Sequence, residues 1–126
     1  MEPQITGSAS RVVTVGSRAI GYRVFGDTSS SRTVISAHGG LVSAGDASAY
    51  DEIARDRGIR IVSPDRPGVG MSDRDPQRSI LSWGHEDVGA VLDDIGATDA
   101  VALGWSAGGQ YALAAAVAQA DRIRGV

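Results

Sequence analysis

The sequence predicts an α/β fold, with helices on both faces of a mostly parallel sheet. Three observations carry this reading. After an opening hairpin, strand-like and helix-like segments alternate along the chain. The short runs Thr33-Val34-Ile35-Ser36-Ala37 and Ala100-Val101-Ala102-Leu103 are apolar in the manner of strands covered on both faces. No repeat, linker or low-complexity block interrupts the pattern, so residues 1–126 read as a single domain.

The elements follow in order. Residues 1–10 are small and polar and are expected to fray. Residues 11–15 are β-branched and strand-like, Gly16-Ser17 is a two-residue turn, and residues 19–25 form the return strand. Thr33–Ala37 is the next strand and runs into His38-Gly39-Gly40. Residues 47–56 are helix-like, with Tyr50, Ile53 and Ala54 on one stripe and Gly58 as the stop. Residues 59–63 form a strand. The next helix starts between Ser79 and Ser82, turns Trp83, Val88, Val91, Leu92 and Ile95 inward, and closes at Gly96. Residues 100–103 form a strand, and residues 106–120 a helix apolar nearly all round, which belongs in an interior.

Composition removes several function classes. The chain carries 12 basic residues, all arginine, against 15 acidic ones, for a net charge of −3. With no basic cluster there is no footing for a nucleic-acid partner. The absence of cysteine excludes a disulfide scaffold and a thiolate metal site, and two histidines are too few for a His-based zinc centre. No metal and no cofactor are expected. The start, Met1-Glu2-Pro3-Gln4, lacks the basic and apolar regions of a secretory signal, and the apolar run 112–118 is too short to span a bilayer. A cytoplasmic protein without membrane contact is expected.

Chemistry concentrates at Gly104-Trp105-Ser106-Ala107-Gly108, a G-x-S-x-G sequence between a strand and a helix. A serine hydroxyl is a weak nucleophile unless a base takes its proton, so its position must be fixed. A tight strand-to-helix turn lifts Oγ above the sheet, and side chains in place of the flanking glycines would collide. The helix start supplies free N–H groups and a partial positive charge for a developing oxyanion. One oxyanion donor is the N–H of Ala107. The second comes from the loop after Ala37, at Gly40 or its neighbour Leu41. His38 is read as shaping this loop with Gly39, not as a base. In Asp65-Arg66-Pro67-Gly68-Val69-Gly70-Met71-Ser72, the pair Asp65 and Arg66 is expected to bond locally. Gly68-Val69-Gly70 is no dinucleotide loop, because Asp73 stands where a third glycine is needed and the loop follows the wrong strand.

Taken in order, His38-Gly39-Gly40, the Asp65–Ser72 segment and Gly104-Trp105-Ser106-Ala107-Gly108-Gly109 resemble the α/β-hydrolase superfamily, serine-nucleophile branch. The resemblance implies a three-layer αβα sandwich: the N-terminal strands 1–5 and helices A–C of an eight-stranded sheet ordered 1-2-4-3-5-6-7-8. It carries over nucleophile Ser106 and oxyanion donors Ala107 and Gly40, with His38, Gly39, Gly104, Trp105 and Gly108 supporting them. It implies hydrolysis of esters or related acyl compounds. A serine nucleophile also separates the chain from the dehalogenase and epoxide-hydrolase branches, which use aspartate.

The family's acid and histidine follow the serine. Here no histidine follows Ser106, and the acid that does, Asp121, reads as a solvated helix-end carboxylate. His85 lies on the helix before the elbow and is expected to face solvent. The chain therefore reads as the N-terminal half of the fold, inactive alone, with an alternative as a non-catalytic protein that binds a small ligand or a complementary chain. Residues 100–103 would form an edge strand with unpaired backbone groups beside an uncovered helix. Self-association, or a partner at that edge, is expected, and size-exclusion chromatography at micromolar concentration reads it directly. A compact, stable monomer would contradict it.

Overall fold

The computed structural model describes residues 9–126. Five strands form one mixed sheet in the order β1-β2-β4-β3-β5. The hairpin pairs β1 (Ala9–Val15) with β2 (Arg18–Gly26), and its turn contains Gly16 at φ +60°. β2 runs antiparallel to β4 (Arg60–Pro64), which is parallel to β3 (Thr33–Ala37); β3 in turn is parallel to β5 (Ala100–Gly104). The strand order is the one the family resemblance implies. The expected frayed start is corrected at its end: Ala9 and Ser10 pair with Val24 and Arg23, and residues 1–8 lie outside the described residues.

The sheet divides the core into two layers. On one face Ile20, Tyr22, Val24, Ile35 and Val62 meet Trp83, Val88, Val91 and Leu92, together with Tyr111, Ala112 and Ala115. On the other, Phe25, Ile61 and Val34 meet Ala47 and Ala54. The second layer is thinner because its helix is short. Residues 47–56 do not form one α-helix: Ala44–Tyr50 is a 3₁₀ segment, and only α1 (Asp51–Asp56) is α-helical. The tighter 3₁₀ winding rotates the expected stripe. Ala54 is buried, but Tyr50 and Ile53 are 40% and 56% exposed.

The helix after the long loop begins where the serines place it. Ser79 Oγ accepts the N–H of Ser82, and Ser82 Oγ accepts the N–H of Ser79, a reciprocal cap for α2 (Ile80–Ser82). The helix then widens into a π-helical stretch, Trp83–Asp87, before α3 (Val88–Ile95). Packing accounts for the widened turn: a Cβ on Gly84 would lie 2.8 Å from Ala114 O, so backbone meets backbone there. Gln119 Nε2 donates to the carbonyls of Gly84 and His85 at 3.0 and 3.2 Å. His85 is exposed, as expected.

α4 (Gly108–Ala118) buries Tyr111, Ala112 and Ala115, while Leu113 and Val117 are 59% and 71% exposed. Its outer face is thus apolar and open, the uncovered helix face expected beside residues 100–103. Val101 and Leu103 of β5 are also exposed. The outer backbone edge of β5 is not bare, however. Ala100 and Ala102 donate N–H groups to Arg122 O and Gly125 O, and Arg124 donates to Ala100 O, each at 2.9 Å. Residues 122–125 therefore run beside β5 in the parallel sense. Among the described residues no helix is long and apolar enough to cross a membrane.

Candidate active site

β5 hands over to α4 through a single sharp bend. Ser106 has φ +54°, and among the described residues it is the non-glycine residue with positive φ. For an L side chain this left-handed backbone is strained, and it persists where the surroundings over-determine it. Two glycines do so. A Cβ on Gly104 would lie 2.5 Å from Gly108 O, and one on Gly108 would lie 2.1 Å from Ala37 O. α4 thus starts in backbone contact with the end of β3, which brings the bend beside the His38-Gly39-Gly40 loop. Gly108 and Gly109 N–H groups donate to Trp105 O and Ser106 O at 2.9 and 3.0 Å, so helical bonding begins at the bend itself. The Ser106 side chain is exposed above it.

The two expected oxyanion residues are brought together. A Cβ on Gly40 would be 3.5 Å from Ala107 Cβ, ordinary van der Waals contact. Among the described residues neither the Gly40 nor the Ala107 N–H has an intramolecular acceptor, so both remain free for a ligand oxygen. Leu41, the alternative to Gly40, is fully exposed.

Gly39 is held from several sides. His38, 1% exposed, places Nδ1 2.8 Å from Gly39 O, while the Arg66 N–H donates to Nε2 at 3.2 Å. Because Nε2 accepts, Nδ1 carries the proton and donates. Both ring nitrogens are occupied. Burial lowers the His38 pKa from its ordinary 6.5, with the Arg66 charge adding to the shift against an opposing bond to Gly39. The neutral ring thus belongs to the folded state. Stability from His38 is present above its unfolded pKa of 6.5 and falls as pH drops below it. Thermal melts across the acid range are expected to show this decline, and His38→Gln to flatten it. An unchanged slope in the variant would count against the assignment.

Arg66 NH2 also donates to Gly39 O at 3.0 Å, and its guanidinium lies 4.2 Å above the Tyr111 ring. The expected Asp65–Arg66 pairing is not found. Asp65, 4% exposed, instead accepts the N–H groups of Ala44 and Met71 at 2.8 and 3.0 Å. Its carboxylate is spent on backbone donors at two places in the chain, while the arginine leans across to the His38-Gly39-Gly40 loop and α4.

One residue escaped sequence reasoning. Asp46 Oδ2 accepts Trp105 Nε1–H at 2.7 Å and Gly39 N–H at 3.4 Å. Nothing local marks it, because its partners lie in other loops. Asp121 is exposed. The described residues form no group of His, Asp and Glu able to hold a metal. A groove of about 510 Å³, lined by Val34, Ile59, Thr98 and Val101 among others, lies at the opposite ends of β3 and β5 from Ser106.

The sharp strand-to-helix bend at Ser106 is that of an elbow of the hydrolase type. Known proteins agree with the class. A model of the alpha/beta hydrolase family matches residues 34–126, and the chain belongs to that family. It is 31% identical over 77 residues to the mitochondrial palmitoyl-protein thioesterase ABHD10 of Homo sapiens, a match covering 61% of this chain and 25% of that protein. The same enzyme of Pongo abelii matches equally. Epoxide hydrolase A from Mycobacterium thermoresistibile superposes with a TM-score of 0.77 at 25% identity, over 94% of this chain and 38% of that one. The thioesterase domain from the curacin biosynthetic pathway gives 0.79 at 21% identity, over 93% and 44%. This last likeness is one of fold alone. The chain thus spans between a quarter and somewhat under half the length of these relatives.

Proposed function

We propose that the chain carries the nucleophile and oxyanion hole of a serine hydrolase acting on esters or related acyl compounds, thioesters included. The observation that carries this reading is the exposed Ser106 at φ +54°, in the bend that also brings Ala107 into contact range of Gly40. In this reading Ser106 Oγ attacks a substrate carbonyl as a base takes its proton, and the two N–H groups hold the resulting oxyanion. The carbonyl re-forms as the alcohol or thiol leaves, and water then releases the acyl group from Oγ. The thioesterase activity named for the 31% identical relative supports acyl chemistry. Epoxide opening is disfavoured because the elbow carries serine, not aspartate. A cytoplasmic setting is part of the reading.

In this reading the described residues supply neither the base nor the acid. Both His38 nitrogens are occupied, and His85 lies on the helix before the elbow. The chain alone is therefore expected to be inactive, and a diffusible base should substitute in part. With added imidazole, p-nitrophenyl butyrate cleavage above the imidazole background is expected for the chain and absent for Ser106→Ala. Equal rates for the two proteins would overturn the nucleophile assignment. Robust Ser106-dependent cleavage without imidazole would overturn the missing-base reading. A second reading, a non-catalytic protein that binds a small ligand or a complementary chain, draws on two exposed apolar sites, Val101 and Leu103 on β5 and Leu113 and Val117 on α4. It predicts no gain with imidazole.

A further inference from the structure

We propose that Asp46 is a positioning residue: its carboxylate, through Trp105, sets the oxyanion loop against the nucleophile elbow. The inference rests on the reading of Ser106 as nucleophile. An oxyanion hole assembled from two loops works only if both N–H groups converge on one point, and misplacement by about 1 Å costs rate steeply. One donor, Ala107, lies on the elbow. The other, Gly40, lies on a loop that follows a different strand. The contact between their α-carbon environments, 3.5 Å from a Gly40 Cβ to Ala107 Cβ, carries no directional bond.

Asp46 supplies one. It lies in the first turn of the 3₁₀ segment Ala44–Tyr50, whose start is fixed by Asp65 accepting Ala44 N–H and by Ser63 Oγ donating to Ala44 O. From this anchored turn, Oδ2 takes the indole N–H at 2.7 Å and the Gly39 N–H at the longer 3.4 Å. The indole closes the link from the other side. A Cβ on Gly39 would lie 3.0 Å from Trp105 Cζ2, so the ring lies directly on the residue before Gly40. Trp105 is also the residue before Ser106. A single carboxylate oxygen therefore joins the neighbours of both reacting elements. Although half exposed at 50%, Trp105 is held by a charge-assisted bond. His38 and Arg66 also hold Gly39, but from the side of β4 and α4; Asp46 is the residue that bridges it to the Trp105 side chain.

Four variants of the full chain test this: Asp46→Ala, Asp46→Asn, Trp105→Phe and the double variant Asp46→Ala/Trp105→Phe. The first reading is the backbone amide resonances of Gly40 and Ala107 in ¹⁵N-labelled protein. Asp46→Ala and Trp105→Phe should each move both signals. The second is the rate at which a fluorophosphonate modifies Ser106 with imidazole supplied as base. That rate should fall at least about tenfold in Asp46→Ala and Trp105→Phe, with no further fall in the double variant. Asp46→Asn, which keeps an acceptor for the indole, should recover most of it. An unmoved Ala107 amide in Asp46→Ala, or an unchanged modification rate, would overturn the proposal. If the parent chain is not modified at all, the nucleophile reading fails, and the amide shifts alone decide the role of Asp46. If Asp46→Ala does not fold, Trp105→Phe, which keeps the aromatic ring, decides it.

Discussion

Gly108→Ala is expected to destabilise the chain by about 3 kcal/mol or more, lowering the melting temperature by roughly 10 °C. The new methyl group would lie 2.1 Å from Ala37 O and 2.7 Å from His38 O. Neither obstacle is a side chain that can turn away. Both are carbonyls at the end of β3, so relief requires α4 to lift off the sheet. The same movement would part Gly40 from Ala107, so modification of Ser106 should fall even at temperatures where the variant stays folded. Gly109→Ala is the control, because a Cβ there meets nothing within 4 Å. A thermal melt of the two variants checks the claim, and equal melting temperatures would refute the close approach.

Asp65→Ala is expected to be comparably severe, at about 3 kcal/mol by urea denaturation. The carboxylate is 4% exposed and accepts Ala44 N–H and Met71 N–H. Removing it strands two N–H donors, each costing about 1–3 kcal/mol when buried without a partner. The loop is also shaped around it: a Cβ on Gly70, at φ +53°, would lie 2.4 Å from Asp65 Oδ2. Asp65→Asn should help little, since its amide group would face a backbone donor with another donor. If Asn restores full stability, the carboxylate is not bridging the two loops as described.

Features coded by neighbours in the chain were legible in the sequence. The apolar run of β3, the helix start at Ser79–Ser82, the glycine stops and the sharp bend at Ser106 follow from short-range rules. So did the class of fold, because alternating strands and helices leave few arrangements. Features set by partners far along the chain were not legible. Ala44–Tyr50 winds as a 3₁₀ segment, its start held by Asp65 and Ser63. Trp83–Asp87 widens because Gly84 meets the backbone of α4. Asp65 and Arg66, adjacent in sequence, bond to different loops rather than to each other. Asp46 meets Trp105 across 59 positions, and no spacing rule marks such a pair. The edge of β5 was misread for a simpler reason: residues 122–125 are short and mixed in polarity, and their pairing lies in the backbone.

Ser106 Oγ, and no other hydroxyl of the chain, is proposed to be the reactive one. Intact and peptide mass spectrometry after incubation with a fluorophosphonate and imidazole measures this. One adduct is predicted, localised to the peptide containing Ser106, absent without imidazole and absent in Ser106→Ala. An unmodified protein, or adducts scattered over other serines at the same rate, would contradict it.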